Sequence, residues 1–500
     1  MDFARSFVVN TAQMQRIEEL MFAQGMPVEA LMEKVGLALS ERIRACYPEP
    51  DFERVGVLVG PGHNGGDALV VARELLMGGR QVEVYCPVPP AKPLTCAHLS
   101  YFEHLGGIVR SGQDTPAEVD LWIDGLFGFG LNRPVTGPAA DAIERLNSSG
   151  KPVVAIDLPS GLATDTGAVL GTAVRAVRTL CLGLWKCSVW QDAALEYVGE
   201  VERIDFGISL KQWQAAIGEE TLPRLILPEY ARACLPLLRP PATHKYKVGS
   251  TLVVSGSRRY LGAPHLSALG ARASGTGMLN LATIATVRDL LSPVLPEVIF
   301  FACPEDDAGT IRELPIDLSR YDAVVCGPGL GPVALEVLEE VVRGTEGGLV
   351  LDADALSIVE ARPDLLKRRG PTILTPHTGE FRRIFPNIDP VDRLEAARDA
   401  ARHSGCWVVL KGAKTVVGTP EGEVWINPDS SAALARGGSG DVLAGLIGGL
   451  FAQTRDPRTA TLGGVWWHAR TAHWLAHRRT VLGVDPQTLA EGLIPFLSAE

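Results

Sequence analysis

The chain is 500 residues long, so two domains are the first expectation, and 46% hydrophobic residues supply a large core. The 47 Lys and Arg against 58 Asp and Glu leave a formal charge of −11, which argues against a general nucleic-acid coat built on clustered positive charge. A phosphate site made of backbone amides stays open, and 53 glycines with 35 prolines suit tight strand–helix turns better than a helical bundle.

The first twenty residues meet an acidic helix-like pattern before any long apolar run, so no signal peptide is expected. No apolar run approaches the roughly 18 residues of a membrane span, and Leu443–Ala452 is too short and glycine-rich for one. The protein is therefore expected to be soluble and cytoplasmic, without membrane or nucleic-acid partners. The nine scattered cysteines show no Cys-x-x-Cys spacing, which fits a reduced compartment with most of them packed as small apolar residues.

Short β-branched runs that end in glycine turns and lead into helical patterns recur along the chain, the mark of βα units and mostly parallel sheets. The first half offers strands at Val55–Val59, Val82–Cys86, Leu121–Asp124, Val153–Asp157 and Thr179–Leu184, with a helix over Ala68–Met77. Around 209–241 the period breaks, with five prolines between Pro223 and Pro241. The expected division is a first domain over 1–215, a linker and domain entry over 216–240, and a second domain over 225–500. Strands at Thr251–Ser255, Ala323–Cys326, Leu349–Asp352, Thr372–Thr375 and Trp407–Leu410 follow, and a helix over Val442–Phe451.

The turn Gly60-Pro61-Gly62-His63-Asn64-Gly65-Gly66-Asp67 follows a strand and opens a helix, where free N–H groups favour an anion. Its G-x-G-x-x-G spacing alone is weak. The second strand ends Tyr85-Cys86-Pro87 without the carboxylate that usually holds a dinucleotide ribose, so an ordinary dinucleotide site is disfavoured. Asp124 and Asp157, the latter with Ser160, also stand at strand ends. Each carboxylate alone fits a helix cap or turn. Together, Asn64, Asp124, Asp157 and Ser160 would form an oxygen-rich pocket suited to a weakly bound hard cation.

These blocks, with Asp124–Gly128, Gly130–Pro138 and Asp157–Gly161, resemble the YjeF N-terminal family of NAD(P)HX epimerases from about Val9 to Ile208. The resemblance implies a Rossmann-like three-layer α/β domain and a potassium ion on Asn64, Asp124 and Ser160. It further implies a site for the hydrated nicotinamides NADHX and NADPHX formed by His63, Asn64, Gly65, Gly66 and Asp67, by Gly128, Phe129, Gly130, Leu131, Asn132, Arg133 and Pro134, and by Asp157. Asp157 is the expected acid/base on the ring hydroxyl. Lys34 stands where that family usually has asparagine.

In the second half, Ala435-Arg436-Gly437-Gly438-Ser439-Gly440-Asp441 leads into an apolar helix. Successive glycines at a helix start expose amides to a phosphoryl group in transit, and Asp441 beside them could take a proton from an attacking hydroxyl or orient it, the plain alternative being a glycine-rich turn with an aspartate cap. No P-loop sequence occurs. Gly327–Gly331, Asp352–Leu356, Thr375–Glu380 and Lys411–Thr415 each follow a strand; His377 alone fits a packed turn as well as a ligand contact, and Lys411 and Lys414 alone fit solvated loop charges.

With Lys245–Gly249 and Gly262-Ala263, these motifs resemble the YjeF C-terminal family, the nucleotide-dependent NAD(P)HX dehydratases of the ribokinase-like superfamily, from about Leu225 to Phe496. The resemblance implies a ribokinase-like α/β domain in which Ala263, Gly331, His377 and Asp441 meet the substrate. Lys411, Gly412, Ala413, Lys414, Thr415 and Gly437, Gly438, Ser439, Gly440 would hold ADP or ATP, with Mg2+. Asp429–Leu434 departs from the family's T-G-N-x-G-M. The joint expectation is a homo-oligomeric, bifunctional enzyme that epimerises R- and S-NAD(P)HX and dehydrates the S form at the expense of ADP, giving AMP and phosphate. The alternative is a sugar or vitamin-precursor kinase fused to a non-catalytic ligand-binding domain.

Overall fold

The β-branched runs assemble into two large sheets, beside a short parallel pairing of Val8–Val9 with Trp185–Lys186, in the computed structural model, which describes residues 5–112, 114–116 and 118–499. The chain divides into two units, Met1–Leu222 and Pro223–Glu500. The opening residues 1–4 of the segment expected to carry no signal peptide lie outside the described residues.

The sheet of the first unit holds seven strands: β1 (Arg54–Val59), β2 (Gln81–Cys86), β3 (Ile108–Ser111), β4 (Leu121–Gly125), β5 (Val153–Ile156), β6 (Arg178–Leu182) and β7 (Glu200–Ile204). They lie side by side in the order β3-β2-β1-β4-β5-β6-β7, and every pair is parallel. The order reverses between β1 and β4, so a crevice opens outside their carboxyl ends. Alternation along β1 builds the layers, since Val55, Val57 and Val59 enter one core and Leu58 the other. Helices α1 (Thr11–Ala23), α2 (Val28–Cys46), α3 (His63–Met77) and α4 (Pro93–His104) cover the first face, and α5 (Pro138–Ser148) the second. Asn10 starts α1 with a capping box closed by Gln13.

The second unit has ten strands: β8 (Arg224–Leu225), β9 (Ser250–Val254), β10 (Met278–Ile284), β11 (Ile299–Cys303), β12 (Ala323–Cys326), β13 (Gly348–Leu351), β14 (Thr372–Leu374), β15 (Trp407–Leu410), β16 (Val416–Gly418) and β17 (Val424–Ile426). Their order is β8-β17-β16-β15-β14-β13-β12-β9-β10-β11, parallel except for the two antiparallel pairings of β16. Among its helices are α6 (Ala263–Ser274), α7 (Thr378–Ile384), α8 (Ser439–Thr454), α9 (Pro457–Arg479) and α10 (Pro486–Ala499). The backbone of α6 meets α8 so closely that Cβ atoms at Gly270 and Gly445 would strike the facing carbonyls of Val442 and Ser267. Glycine at these positions sets how deep α8 lies.

Several sequence expectations shift at the element ends. Helix α3 begins at His63, not Ala68, so His63–Asp67 form its first turn. Strand β5 stops at Ile156, one residue before Asp157, whose φ of 66° breaks the extended run. Helix α8 begins at Ser439, not Val442. Within the expected linker, Arg224–Leu225 already pairs with β17 of the second sheet. Strands β3, β7, β8, β10, β11, β16 and β17 fall outside the β-branched runs singled out in the sequence. All nine cysteines are unpaired.

Candidate functional site

In the first unit, α3 opens without a side-chain cap because its N-cap is Gly62, which leaves the first amides to a ligand. Next to it, the carboxyl ends of β4 and β5 are tied by side-chain bonds. Asp124, fully buried, accepts the N–H of Ser160 on Oδ2 at 2.8 Å, and the Ser160 hydroxyl (2.7 Å) and the Leu126 N–H (3.1 Å) on Oδ1. Burial pushes the Asp124 carboxyl up to about 6, against those hydrogen bonds. The Phe127 N–H donates to Ser160 Oγ at 2.8 Å, and the Phe129 N–H to Asp157 Oδ2 at 2.9 Å. These bonds pin the 126–130 loop over the strand ends.

Gly128 lies where the residues converge: a Cβ there would be 3.0 Å from Asn64 Oδ1 and 3.2 Å from Asp157 Oδ2. The structure thus brings together Asn64, Asp124, Asp157, Ser160 and the 126–130 loop. The oxygens of Asn64, Asp124 and Ser160 alone, an amide, a carboxylate and a hydroxyl, carry one formal charge. That chemistry fits a monovalent hard cation.

A cavity of about 910 Å³ opens onto this point, lined by His63, Asn64 and Asp67 of α3, by Gly128–Pro134, by Asp157, and by Glu18 of α1. Asn132, Arg133 and Pro134 stand exposed on its wall, whereas Gly65 and Gly66 are buried behind it. Burial, with a smaller push from Lys92, holds the His63 imidazole below its ordinary value.

Two groups absent from the sequence reading complete the site. Lys186, fully buried, pairs through Nζ with Asp157 Oδ1 at 2.6 Å and also donates to the Leu182 carbonyl. Burial works to lower the Lys186 ammonium, but Asp157 leads the charges that raise it on balance. Glu18 is pushed up to about 7, first by burial, with Lys186 opposing and Asp157 adding. Asp67 is driven well above the ordinary carboxylate range by burial and by Asp157 and Glu18. Both signals were in the chain: a lone lysine inside the apolar stretch Leu182–Trp190, and a glutamate on the Met14, Ile17, Met21 face of α1.

In the second unit, polar groups gather at the carboxyl ends of the neighbouring strands β9, β12, β13, β14 and β15. The Gly327–Gly331 loop packs on the start of α6, for Gly329 sits against Ala263 and Tyr260, and its carbonyl accepts the Ser257 hydroxyl at 2.9 Å. The Gly331 N–H donates to Asp354 Oδ2 at 2.7 Å. Asp352, buried, accepts both Lys411 Nζ and the Thr375 hydroxyl on Oδ1 at 2.7 Å. His377 caps α7, its Nδ1 accepting from Gly379 and Glu380, and its outer ring is exposed. Lys411 also reaches Glu380 at 4.0 Å.

The corner at the start of α8 faces this cluster. Gly438 is its N-cap in the left-handed region with no side-chain cap, a Cβ added at Gly437 would meet nothing within 4 Å, and Asp441 is part-exposed in the first turn. A Cβ at Gly440 would lie 3.3 Å from Lys411 Nζ and 3.9 Å from Asp352 Oδ2. Burial raises the Asp441 carboxyl to about 7, helped by Asp352 and opposed by Lys411. The turn is held from behind, where buried His468 Nε2 meets the Ser439 carbonyl at 2.9 Å. Lys411 is thus engaged at the corner, while the Gly412–Ala413 tip is exposed and Lys414 donates to the Pro428 carbonyl. In the departing segment 429–434, Asp429 pairs with Arg470 at 3.0 Å.

An open helix start with amides, a carboxylate near neutrality and a lysine suits phosphoryl transfer to a hydroxyl. A cavity flanked by carboxyls and an ion-paired lysine suits proton transfer on a neutral ring.

Comparisons with known proteins agree in both halves. Residues 28–188 match the family model described as YjeF-related protein N-terminus, and residues 251–495 the model described as NAD(P)H-hydrate dehydratase. The bifunctional NAD(P)H-hydrate repair enzyme Nnr of Gloeobacter violaceus is 56% identical over 99% of this chain and 98% of its own. The protein of that name from Synechocystis sp. is 48% identical over 98% and 94%. A crystal structure of the ADP/ATP-dependent NAD(P)H-hydrate dehydratase from Bacillus subtilis, co-crystallised with ATP/Mg2+, covers 55% of this chain and 98% of its own at 33% identity and a TM-score of 0.48.

Proposed function

The chain belongs to the family of bifunctional NAD(P)H-hydrate repair enzymes, and on that premise we propose how its two sites divide the work. The first unit interconverts the R and S hydrates of NADH and NADPH, and the second dehydrates the S form with ADP or ATP. The observation that carries the reading is the open glycine corner at α8, with Asp441 in its first turn and Lys411 beside it.

In the second unit, a hydroxyl is a poor leaving group and a phosphate a good one. Asp441 takes the proton from the ring hydroxyl as its oxygen attacks the terminal phosphorus of the nucleotide. The Gly437–Gly440 amides and Lys411 carry the charge that develops on the phosphoryl oxygens. The ring carbon–oxygen bond then breaks, phosphate leaves, and loss of a proton from the adjacent ring carbon restores the double bond. Ala263, Gly331 and His377 position the ring, and Lys411–Thr415 hold the nucleotide. Mg2+, when bound, supplies counter-charge to the nucleotide phosphates.

In the first unit, Asp157 exchanges a proton at the ring hydroxyl so that water leaves one face and returns on the other. His63–Asp67 and Gly128–Pro134 hold the substrate. Asn64, Asp124 and Ser160 would hold potassium, whose charge organises the oxygens around the strand ends. A cytoplasmic location is in keeping with nine unpaired cysteines; among the described residues no helix is long and apolar enough to cross a membrane.

Separation of function tests this assignment. Full-length Asp157→Asn should still dehydrate S-hydrate but leave R-hydrate behind, and Asp441→Ala should scramble the epimers without restoring NADH. If either variant lost both activities, or neither, the division would be wrong.

A further inference from the structure

Epimerisation moves a hydroxyl between opposite faces of one ring carbon, and a single fixed carboxylate reaches only one face. Asp157 is fixed: Lys186 pairs with one oxygen, and the Phe129 N–H donates to the other. Glu18 enters the same cavity from a different element, α1, and its carboxyl makes no hydrogen bond or ion pair among the described residues. We infer that Glu18 is the second catalytic proton carrier of the first unit, serving the ring face opposite Asp157; this rests on the epimerase reading above.

The charged groups facing Glu18 are Lys186, beyond β6, Asp157, beyond β5, and Asp67, on α3. Burial raises the Glu18 carboxyl to about 7, more than Lys186 lowers it, so at neutral pH much of it carries a proton. Asp157 is paired with Lys186 at 2.6 Å. Two carboxyls in contrasting environments divide acid from base. Glu18 gives its proton to the ring hydroxyl as the carbon–oxygen bond breaks and water leaves, while the ring nitrogen lone pair forms a C=N bond. Water adds to the other face, the new carbon–oxygen bond forms, and Asp157 takes the water's proton. Nothing is oxidised or reduced. The reverse reaction exchanges the roles, and solvent returns the proton between turnovers.

The test is Glu18→Gln in the full chain, assayed as R-to-S conversion without nucleotide. Its turnover should fall on the order of 10²-fold or more with KM little changed, and 18O exchange from water into the hydroxyl should fall in step. Wild-type turnover should decline as pH rises through about 7, and that limb should vanish from the residual activity of the variant. Wild-type turnover with no such limb would overturn the inference even if the variant failed to fold. So would a variant with undiminished turnover, or one with only a raised KM. A wild-type chain that leaves the R-hydrate untouched would instead refute the epimerase reading itself.

Discussion

Replacing Asp441 by asparagine should stabilise the second unit at neutral pH while removing its activity. Burial raises this carboxyl from 3.8 to about 7, so the folded form holds the proton more tightly than the unfolded chain. Stability from this source is fully present below about pH 4 and is lost as pH rises through about 7. Each tenfold in proton affinity is about 1.4 kcal/mol, so the ceiling is about 4 kcal/mol. A helix N-terminus favours the negative charge by up to about 1 kcal/mol, and Asp441 is part-exposed, so solvent screening lowers the figure further. The expected gain is about 2 kcal/mol at pH 8 and none at pH 4. Calorimetry of the full chain reads it in the transition that moves when ADP is added. Dehydration, followed as NADH absorbance, should fall about 10²–10⁴-fold in the same variant. A variant destabilised at pH 8, or one that still restores NADH at the wild-type rate, would show that Asp441 is a structural cap and not the base.

Lys186→Met strips a buried carboxylate of its counter-ion and should cost the first unit about 3–5 kcal/mol, read in the melting transition that ADP does not move; adding Asp157→Asn should recover part of that loss. Gly128→Ala puts a methyl group 3.0 Å from Asn64 Oδ1 and 3.2 Å from Asp157 Oδ2, so epimerisation should drop while dehydration of S-hydrate is unaffected, as initial rates on each epimer would show. Burial depresses His468 to about 4, with Ser439 opposing and Lys411 adding. Its contribution is full above about pH 6.5 and is lost as pH falls through about 4. Between those values the second unit should lose about 3 kcal/mol, and His468→Gln should be less acid-sensitive when denaturation curves are compared across that range.

The α/β class and both glycine corners were legible in the sequence because each depends on local order: a β-branched run, a glycine turn, then an apolar helix. Element ends were less legible. The run to Asp157 looks like a strand throughout, yet the left-handed conformation there turns its carboxylate against Lys186 and the Phe129 amide. The helices at His63 and Ser439 begin earlier than their apolar pattern, since glycine-rich first turns carry no hydrophobic signal. The edge strands β3 and β11 are only partly buried, which weakens the period that reveals a strand. The hairpin of β16 and β17 is too short to show one. Lys186 and Glu18 escaped for a different reason. Lys186 gains its role by pairing with Asp157 beyond β5, and Glu18 by lining the same cavity from α1. Although each stands out as a lone charge in an apolar stretch, no spacing along the chain shows that they meet.

The most direct measurement is a balance sheet on hydrated NADH: epimer composition, NADH absorbance and free phosphate, followed together with ADP or ATP, with and without potassium. The account predicts that S-hydrate returns to NADH with one phosphate released per NADH, and that R-hydrate follows only through S, faster with potassium. Accumulation of a stable phosphorylated product, or no return of NADH with either nucleotide, would contradict it.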